Sequence, residues 1–225
     1  MAKKLLATVL TLVLFVGICP VYASAEANIE IGDIVTFGTY EQDNNRQNGT
    51  EDIEWIVLDK DGDAIFIVSR YILDRVRYNS NSKKTTWESS DLREWLNNDF
   101  INAAFDAEYL DRIITTELYN EDNPKNGTTG GKETEDKIFI LSESEVEYYM
   151  EDKEDRFCLA TKYAEKRGVC TSEDYDDGGW WTLRTPGVNR NYVCYISGGG
   201  GIHTDGLDVN SGKLGVRPAM WLDIS

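Results

Sequence analysis

The sequence predicts an α+β fold, in which short helices lie in the middle of the chain and strands lie towards both ends. Runs rich in β-branched and aromatic residues occur near both ends, whereas helical spacing and capping signals are confined to residues 89–167. Because the two kinds of element are segregated rather than alternating, we expect mixed or antiparallel sheets. No internal repeat or low-complexity linker divides the chain, so we expect one compact domain over residues 26–225.

The first 25 residues have the pattern of a secretory signal peptide. Lys3 and Lys4 precede an apolar run at residues 5–18, and the triplet Ala-Ser-Ala at 23–25 is a small-residue cleavage site. The apolar run is shorter than the roughly 20 residues that a membrane-spanning helix needs. We therefore expect cleavage after residue 25 and a secreted or cell-surface protein.

The same region argues against a permanent membrane anchor. Ile18 stands where a small residue would be expected before a lipidated Cys19. The rest of the chain has no second apolar run of spanning length, so no membrane span is expected in the mature protein.

The N-terminal part of the domain predicts a strand followed by a β-hairpin. The strand covers residues 31–38, and the hairpin joins 53–58 to 64–69 through residues 59–63, which contain Asp-Gly. These connecting residues faintly resemble a calcium loop, but the twelve-residue spacing and the terminal Glu are absent. A turn is therefore favoured over a metal site.

The central region predicts several short helices. Residues 89–91 can cap a helix that runs to Asn97 or a little beyond, and a second short helix is expected to carry Phe100 and Phe105. The segments that follow are a strand or helix end at 112–118, a polar loop at 120–135 and a strand at 136–141. The capping box Ser142/Glu145 then predicts the start of a helix that runs to about Met150. A further helix is expected at 160–167, and Gly168 ends it.

The C-terminal part predicts three short strands, near Trp180, Tyr192 and Val216. Between them, Gly198–Gly201 predicts a mobile or turn-rich loop, because four consecutive glycines do not suit a packed strand. The sequence His-Thr-Asp-Gly at 203–206 predicts a hairpin turn.

Charge narrows the choice of partners. The chain has 40 acidic and 23 basic residues, a net charge of −17, which repels nucleic acid. The acidic loop at residues 173–177 could hold calcium, but it lacks a recognisable ligand spacing, so a solvated loop is favoured and no cofactor is expected.

The cysteine pattern allows two redox states. In an exported protein Cys158 and Cys170 could form a disulfide, with Cys194 as a buried apolar residue; alternatively all three are reduced.

Three motifs together resemble a widespread bacterial domain family of unknown function that is often found in exported and surface proteins. They are W-E-x-S-x-L-R-x-W-L-N at 87–97, W-W-x-L-R-x-P-G at 180–187 and G-V-R-P-A at 215–219. The closing pattern is also similar, more weakly, to the C-type-lectin-like fold of sulfatase-modifying, formylglycine-generating proteins. That resemblance implies adjacent N- and C-terminal strands. It implies no chemistry, because the paired cysteines or histidine cluster of those enzymes are missing and His203 is the only histidine.

Charged motif residues favour a structural interpretation. Arg184 and Arg217 lie in apolar runs, where each needs a partner such as Asp74, Glu88 or Asp91. We assign structural roles to Arg93, Trp95, Arg217, Asp74 and Glu88. The alternative is that Arg184 or Arg217 clamps an anionic ligand.

The favoured function is non-catalytic binding of an extracellular glycan or protein. Its candidate residues surround the glycine-rich loop and are Trp180, Trp181, Arg184, Tyr192, Tyr195 and His203. One alternative is a hydrolase or modifying enzyme that uses carboxylates in the same cleft. Another is a surface-assembly protein without a small ligand.

Overall fold

The computed structural model describes residues 29–225, so the predicted signal peptide lies outside the described residues. The strands are β1 (Ile34–Tyr40), β2 (Glu51–Asp61), β3 (Ala64–Ser69), β4 (Ile113–Ile114), β5 (Thr116–Leu118), β6 (Thr134–Asp136), β7 (Thr171–Ser172), β8 (Gly178–Gly179), β9 (Trp181–Pro186), β10 (Tyr192–Ile196), β11 (Ile202–Asp208) and β12 (Ala219–Asp223). The α-helices are α1 (Asp91–Trp95), α2 (Ile101–Ala104), α3 (Ala107–Arg112), α4 (Glu143–Tyr149), α5 (Lys153–Arg156) and α6 (Lys162–Arg167). The predicted α+β class, with antiparallel sheets and short central helices, is confirmed.

The main sheet has five strands in the order β1-β2-β3-β12-β4, and all its pairs are antiparallel. The predicted hairpin is β2–β3, closed by a two-residue turn. Gly62 is the first residue of this turn and has a positive φ of +59°, which tight hairpin turns require at that position. The first and last strands share this sheet, but β2 and β3 lie between them. They are therefore not direct neighbours, and the likeness to the lectin fold stays a prediction.

A second sheet, in the order β11-β10-β9, corrects the prediction for residues 203–206. These residues lie inside β11 rather than in a turn. Gly206 has φ +82°, and the register of β10 against β11 shifts between Val193 and Tyr195. The glycine that suggested a turn therefore belongs to a bulged part of the ladder, and the chain reverses earlier, at the glycines between β10 and β11.

The first helical region is longer than predicted. Ser90 caps α1 by accepting a hydrogen bond from the Arg93 backbone N–H, as expected. The helix then continues through a π-helical turn (Leu96–Phe100) directly into α2. The separate second helix was therefore a wrong prediction, because no breaker residue stands between residues 91 and 104.

The strand predicted at 136–141 is also wrong. Only Asp136 belongs to a strand, and Ile138 and the three residues after it are fully buried but mostly irregular. The Asn97 side chain explains the difference. Its Oδ1 accepts from the backbone N–H groups of Lys137 and Ile138, and its Nδ2 donates to the Ile138 carbonyl at 2.8 Å. A side chain thus satisfies backbone groups that a neighbouring strand would otherwise pair.

The other two helix predictions are confirmed. Ser142 and Glu145 form the capping box of α4, and Gly168 ends α6 with φ +103°. Within residues 29–225 no helix is long and apolar enough to cross a membrane.

Candidate functional site

A groove of about 610 Å³ lies beside the glycine-rich turn that joins β10 to β11. One wall comes from α5 and the residue after it, one from the loop between β7 and β8, and one from the turn and the start of β11. The lining residues are Lys153, Glu154, Phe157, Tyr175, Asp176, Ser197, Gly199, Gly201 and His203.

Three aromatic rings form a continuous stack behind and along this groove. Trp180 stacks on Tyr195 with ring centroids 5.2 Å apart, and Tyr195 stacks on His203 at 4.6 Å with the planes only 8° apart. Tyr195 and His203 are directly opposite each other on β10 and β11. Tyr195 is buried, whereas His203 is exposed and lines the groove. The column therefore carries one solvent-facing ring on a rigid aromatic base.

The base of the column is fixed by hydrogen bonding. The Trp180 indole N–H donates to Ser172 Oγ at 2.9 Å, which ties the column to β7. The loop that follows β7 carries Tyr175, which is 59% exposed and lines the groove. The same loop has two consecutive residues with positive φ, Asp176 at +46° and Asp177 at +58°. Such conformations cost free energy in non-glycine residues, so the surrounding structure holds this loop in place.

The glycine-rich turn forms a closely packed wall. A Cβ at Gly200, which has φ +74°, would collide with the Lys153 carbonyl, and Arg156 Nε donates to the Gly200 carbonyl at 2.8 Å. A Cβ at Gly198 would collide with the Gly178 carbonyl. Glycine is therefore required here by close backbone approach. The sequence predicts a mobile or turn-rich loop here, and the structure shows a turn that is closely packed.

The structure brings together only part of the predicted binding set. Trp180, Tyr195 and His203 share the stack. Trp181 is fully buried, and its indole N–H donates to the Arg156 carbonyl at 3.1 Å. Tyr192 is partly exposed at the start of β10 but does not line the groove.

Arg184 is also buried away from the groove, where Glu145 is its carboxylate partner rather than Asp74, Glu88 or Asp91. Arg184 Nη2 lies 2.7 Å from Glu145 Oε1, and Nη1 donates to Glu145 Oε2 and to the Ile140 carbonyl.

Sequence reasoning missed the residues of the two other groove walls, among them Phe157, Tyr175 and Glu154. One signal was available for Tyr175, because it is the only aromatic residue in the otherwise acidic loop at 173–177. Nothing in the local sequence of α5 indicates that this helix packs against the glycine-rich turn, because that contact depends on the tertiary fold.

Asp136 organises a buried polar network. Asp136 Oδ1 accepts from Arg93 Nε at 2.7 Å, and Oδ2 accepts from the Trp87 indole N–H and from the Thr134 hydroxyl, both at 2.9 Å. Trp95, half-buried on the same helix as Arg93, packs against Phe100 with ring centroids 5.4 Å apart. Arg93 and Trp95 therefore make internal contacts, and the structural roles expected for them stay predictions.

Asp74 is the centre of another polar network. Its carboxylate accepts from the Tyr40 hydroxyl at 2.6 Å and lies 2.5 Å from Arg167 Nε. Burial, followed by the Asp74 charge, raises the pKa of Tyr40 far above its usual value, so Tyr40 stays a hydrogen-bond donor. Glu88 has a lesser role, because its carboxylate lies 4.0 Å from the exposed Lys132.

The cysteines are free thiols in the described chain, so the predicted Cys158–Cys170 disulfide is not formed in this structure. Cys158 and Cys194 are buried, and Cys170 is partly accessible. Burial raises the pKa of Cys158. Burial, and then the charge of Glu143, raises the pKa of Cys194 to about 12. Both thiols are therefore protonated at neutral pH and are poor nucleophiles.

Among the described residues, one group of carboxylates has oxygens close enough to hold a metal ion together. Glu41, Asp43 and Glu51 place one oxygen each within 4.8 Å of one another. Glu51 already accepts from the Gln42 backbone N–H at 2.7 Å, and Glu41 accepts from the Asn45 N–H at 2.9 Å. Loop capping accounts for this acidic cluster without an ion.

The chain matches the family model described as "Domain of unknown function (DUF6273)" over residues 62–224. Because the match covers well over half of the sequence, the chain belongs to this family. Comparisons with curated proteins and with solved structures find no match.

Proposed function

We propose that this DUF6273 protein is exported and binds an extracellular glycan, without catalysis, in the groove beside the β10–β11 turn. The observation that carries the proposal is the aromatic column, which ends in the exposed ring of His203 at the groove wall. Tyr175 supplies a second exposed aromatic ring from another wall.

The chemistry of the groove suits a sugar. The apolar C–H face of a pyranose packs well on an aromatic ring, while its hydroxyls need polar partners at the edges. Lys153, Glu154, Asp176 and Ser197 offer such partners around the same groove. The strongly acidic chain disfavours a polyanionic glycan, so a neutral or amino-bearing sugar is expected.

The test is binding of the mature protein to a glycan array, followed by calorimetric titration with the best ligand. We expect His203→Ala and Tyr175→Ala each to weaken binding about tenfold, since one stacked aromatic contributes roughly 0.5–1.5 kcal/mol beyond the area that it buries. Tyr148→Ala is the matched control, because Tyr148 is 77% exposed and does not line the groove. Unchanged affinity in both groove variants would refute the proposal.

A hydrolase remains the second candidate, because two carboxylates, Glu154 and Asp176, line this groove together with His203. Glycoside hydrolysis requires a pair of carboxylates on either side of the scissile bond. Incubating the array ligand with the protein and analysing the products by mass spectrometry separates the two functions. Cleavage that Glu154→Gln or Asp176→Asn abolishes would establish catalysis, whereas intact ligand supports binding alone.

A further inference from the structure

A second cleft, of about 530 Å³, contains a buried arginine for which the described residues offer no carboxylate partner. Arg217 is 1% exposed and lines this cleft. The sequence predicts a carboxylate for it, yet within residues 29–225 no acidic oxygen lies within 4.0 Å of its guanidinium. An uncompensated buried charge is costly, so its persistence calls for an explanation.

The contacts of Arg217 hold the side chain in place and leave one end of the guanidinium free. Nε donates to the Ser69 carbonyl at 2.9 Å, and Nη1 lies 3.7 Å from Met150 Sδ. The guanidinium carbon lies 5.0 Å from the centre of the Trp181 ring, in a cation–π contact. Nη2 makes no hydrogen bond to any described residue, so a planar, preorganised donor remains for a ligand.

Neighbouring ionisable groups do not neutralise this charge. The Cys158 thiol lies close enough to feel the charge of Arg217, but burial is the larger influence and raises the thiol pKa, so the thiol stays neutral. Glu154 and Asp155 line the cleft but are exposed, and neither forms an ion pair with Arg217. The positive charge is therefore uncompensated in the cleft.

We propose that this cleft binds the carboxylate of a ligand whose remaining body is apolar, with Arg217 as the anchor. Much of the remaining lining is aliphatic or aromatic, including Ile56, Tyr71, Phe157 and Leu159. Such a ligand is a small carboxylic acid or the C-terminus of a peptide with an apolar last residue. A buried arginine with apolar walls matches both parts of such a ligand.

A second cation strengthens the assignment. Arg70 lines the same cleft, with 40% of its side chain exposed. Its Nη1 lies 2.8 Å from Glu54 Oε2, so it is a weaker, shared anion partner. The cleft shares Glu154 and Phe157 with the groove of the proposed glycan site, but the aromatic column is not part of it. The two sites can therefore be tested separately.

The experiment compares charged probes with matched neutral ones. Calorimetry and thermal shift assays with the mature protein would use hexanoate against 1-hexanol, and acetyl-Gly-Leu against its C-terminal amide. We expect at least one carboxylate to bind and its neutral counterpart to bind at least tenfold more weakly. Binding of hexanoate indicates a free acid as the ligand, and binding of the peptide alone indicates a peptide C-terminus. Equal binding of both members of each pair, or no binding of either carboxylate, overturns the proposal.

Variants then assign the anchor. Arg217→Lys should weaken carboxylate binding at least tenfold and Arg70→Ala about threefold, whereas Arg46→Ala, at a position outside the cleft, should leave it unchanged. Unchanged binding in Arg217→Lys would show that Arg217 does not anchor the ligand. Its role would then be limited to its contacts with Trp181 and the Ser69 carbonyl. If Arg217→Lys does not fold, Leu159→Glu decides, because this exposed position lines the cleft. A new negative charge there should abolish carboxylate binding if the proposal holds, and unchanged binding refutes it.

Discussion

Glu145 binds Arg184 through both carboxylate oxygens while it also completes the capping box at the start of α4. Glu145 Oε2 accepts from the Ser142 backbone N–H at 2.8 Å, and Oε1 lies 2.7 Å from Arg184 Nη2. Arg184 is 4% exposed, so Glu145 is the group that compensates a buried charge on β9. One side chain thus connects the start of α4 to the second sheet.

Glu145→Gln should separate these two roles. Glutamine still serves in a capping box, so the variant loses the ion pair but keeps the cap. We expect a loss of about 3 kcal/mol in unfolding free energy, because Arg184 is left as an unpaired buried charge. Urea denaturation measures the change. The double variant Glu145→Gln/Arg184→Met should lose much less than the sum of the two single variants. Additive losses would show that the pair is not coupled.

Asp136 should be among the least tolerant positions in the protein. Replacement by Ala removes the acceptor of Arg93, of the Trp87 indole and of the Thr134 hydroxyl at once. We expect a destabilisation of about 3–5 kcal/mol, the range for breaking a buried ion pair. The control is Glu135→Ala, because the neighbouring Glu135 is exposed and bonds to Arg93 only through its backbone carbonyl. Equal melting temperatures for the two variants would contradict this assignment.

Glu143 predicts an unusual dependence of stability on pH. Burial, and then the charges of Glu147 and Glu121, raises the pKa of Glu143 to about 7, and its Oε2 has no hydrogen-bond partner among the described residues. In the unfolded chain the carboxyl loses its proton near its ordinary pKa of 4.5, while the folded protein keeps the proton until about pH 7. The contribution of this carboxyl is therefore fully favourable below pH 4.5 and is lost as the pH rises to about 7.

The variant Glu143→Gln tests this dependence, because its amide is never charged. It should melt at a higher temperature than the parent protein at pH 8, and the gain should disappear at pH 4. Thermal denaturation across this range, with the exposed Glu94→Gln as the control, provides the measurement. A gain that is constant with pH would exclude the titration of Glu143 as its cause.

Thiol reactivity should differ sharply among the three cysteines within residues 29–225. Cys170 is partly accessible and should react quickly with an aromatic disulfide reagent, whereas Cys158 and Cys194 are buried with raised pKa values. We expect one fast thiol in the native protein and three after denaturation. Cys170→Ser should remove the fast phase. If only one thiol titrates after denaturation, the other two form a disulfide, which is the alternative that the cysteine pattern allows.

Local signals explain the predictions that succeeded. The hairpin at Gly62, the Ser90 cap of α1 and the capping box at Ser142 are formed by residues within a few positions of one another. Their geometry is set by backbone dihedral preferences and short side-chain hydrogen bonds. The segment after Asp136 resembles a strand in sequence, but its backbone is bonded by the side chain of Asn97. That residue lies 41 positions away from Ile138, so no local pattern reveals the contact.

Sequence alone determined the α+β class, the local caps and turns, and the expectation that the motif arginines are buried. Tertiary structure decided which groups meet: Glu145 with Arg184, Asp136 with Arg93 and, as far as residues 29–225 show, no carboxylate with Arg217. Backbone preferences act between neighbours in the chain, so they are readable from spacing. A buried charge can be compensated by any group that packing brings within a few ångströms, and that depends on the whole fold.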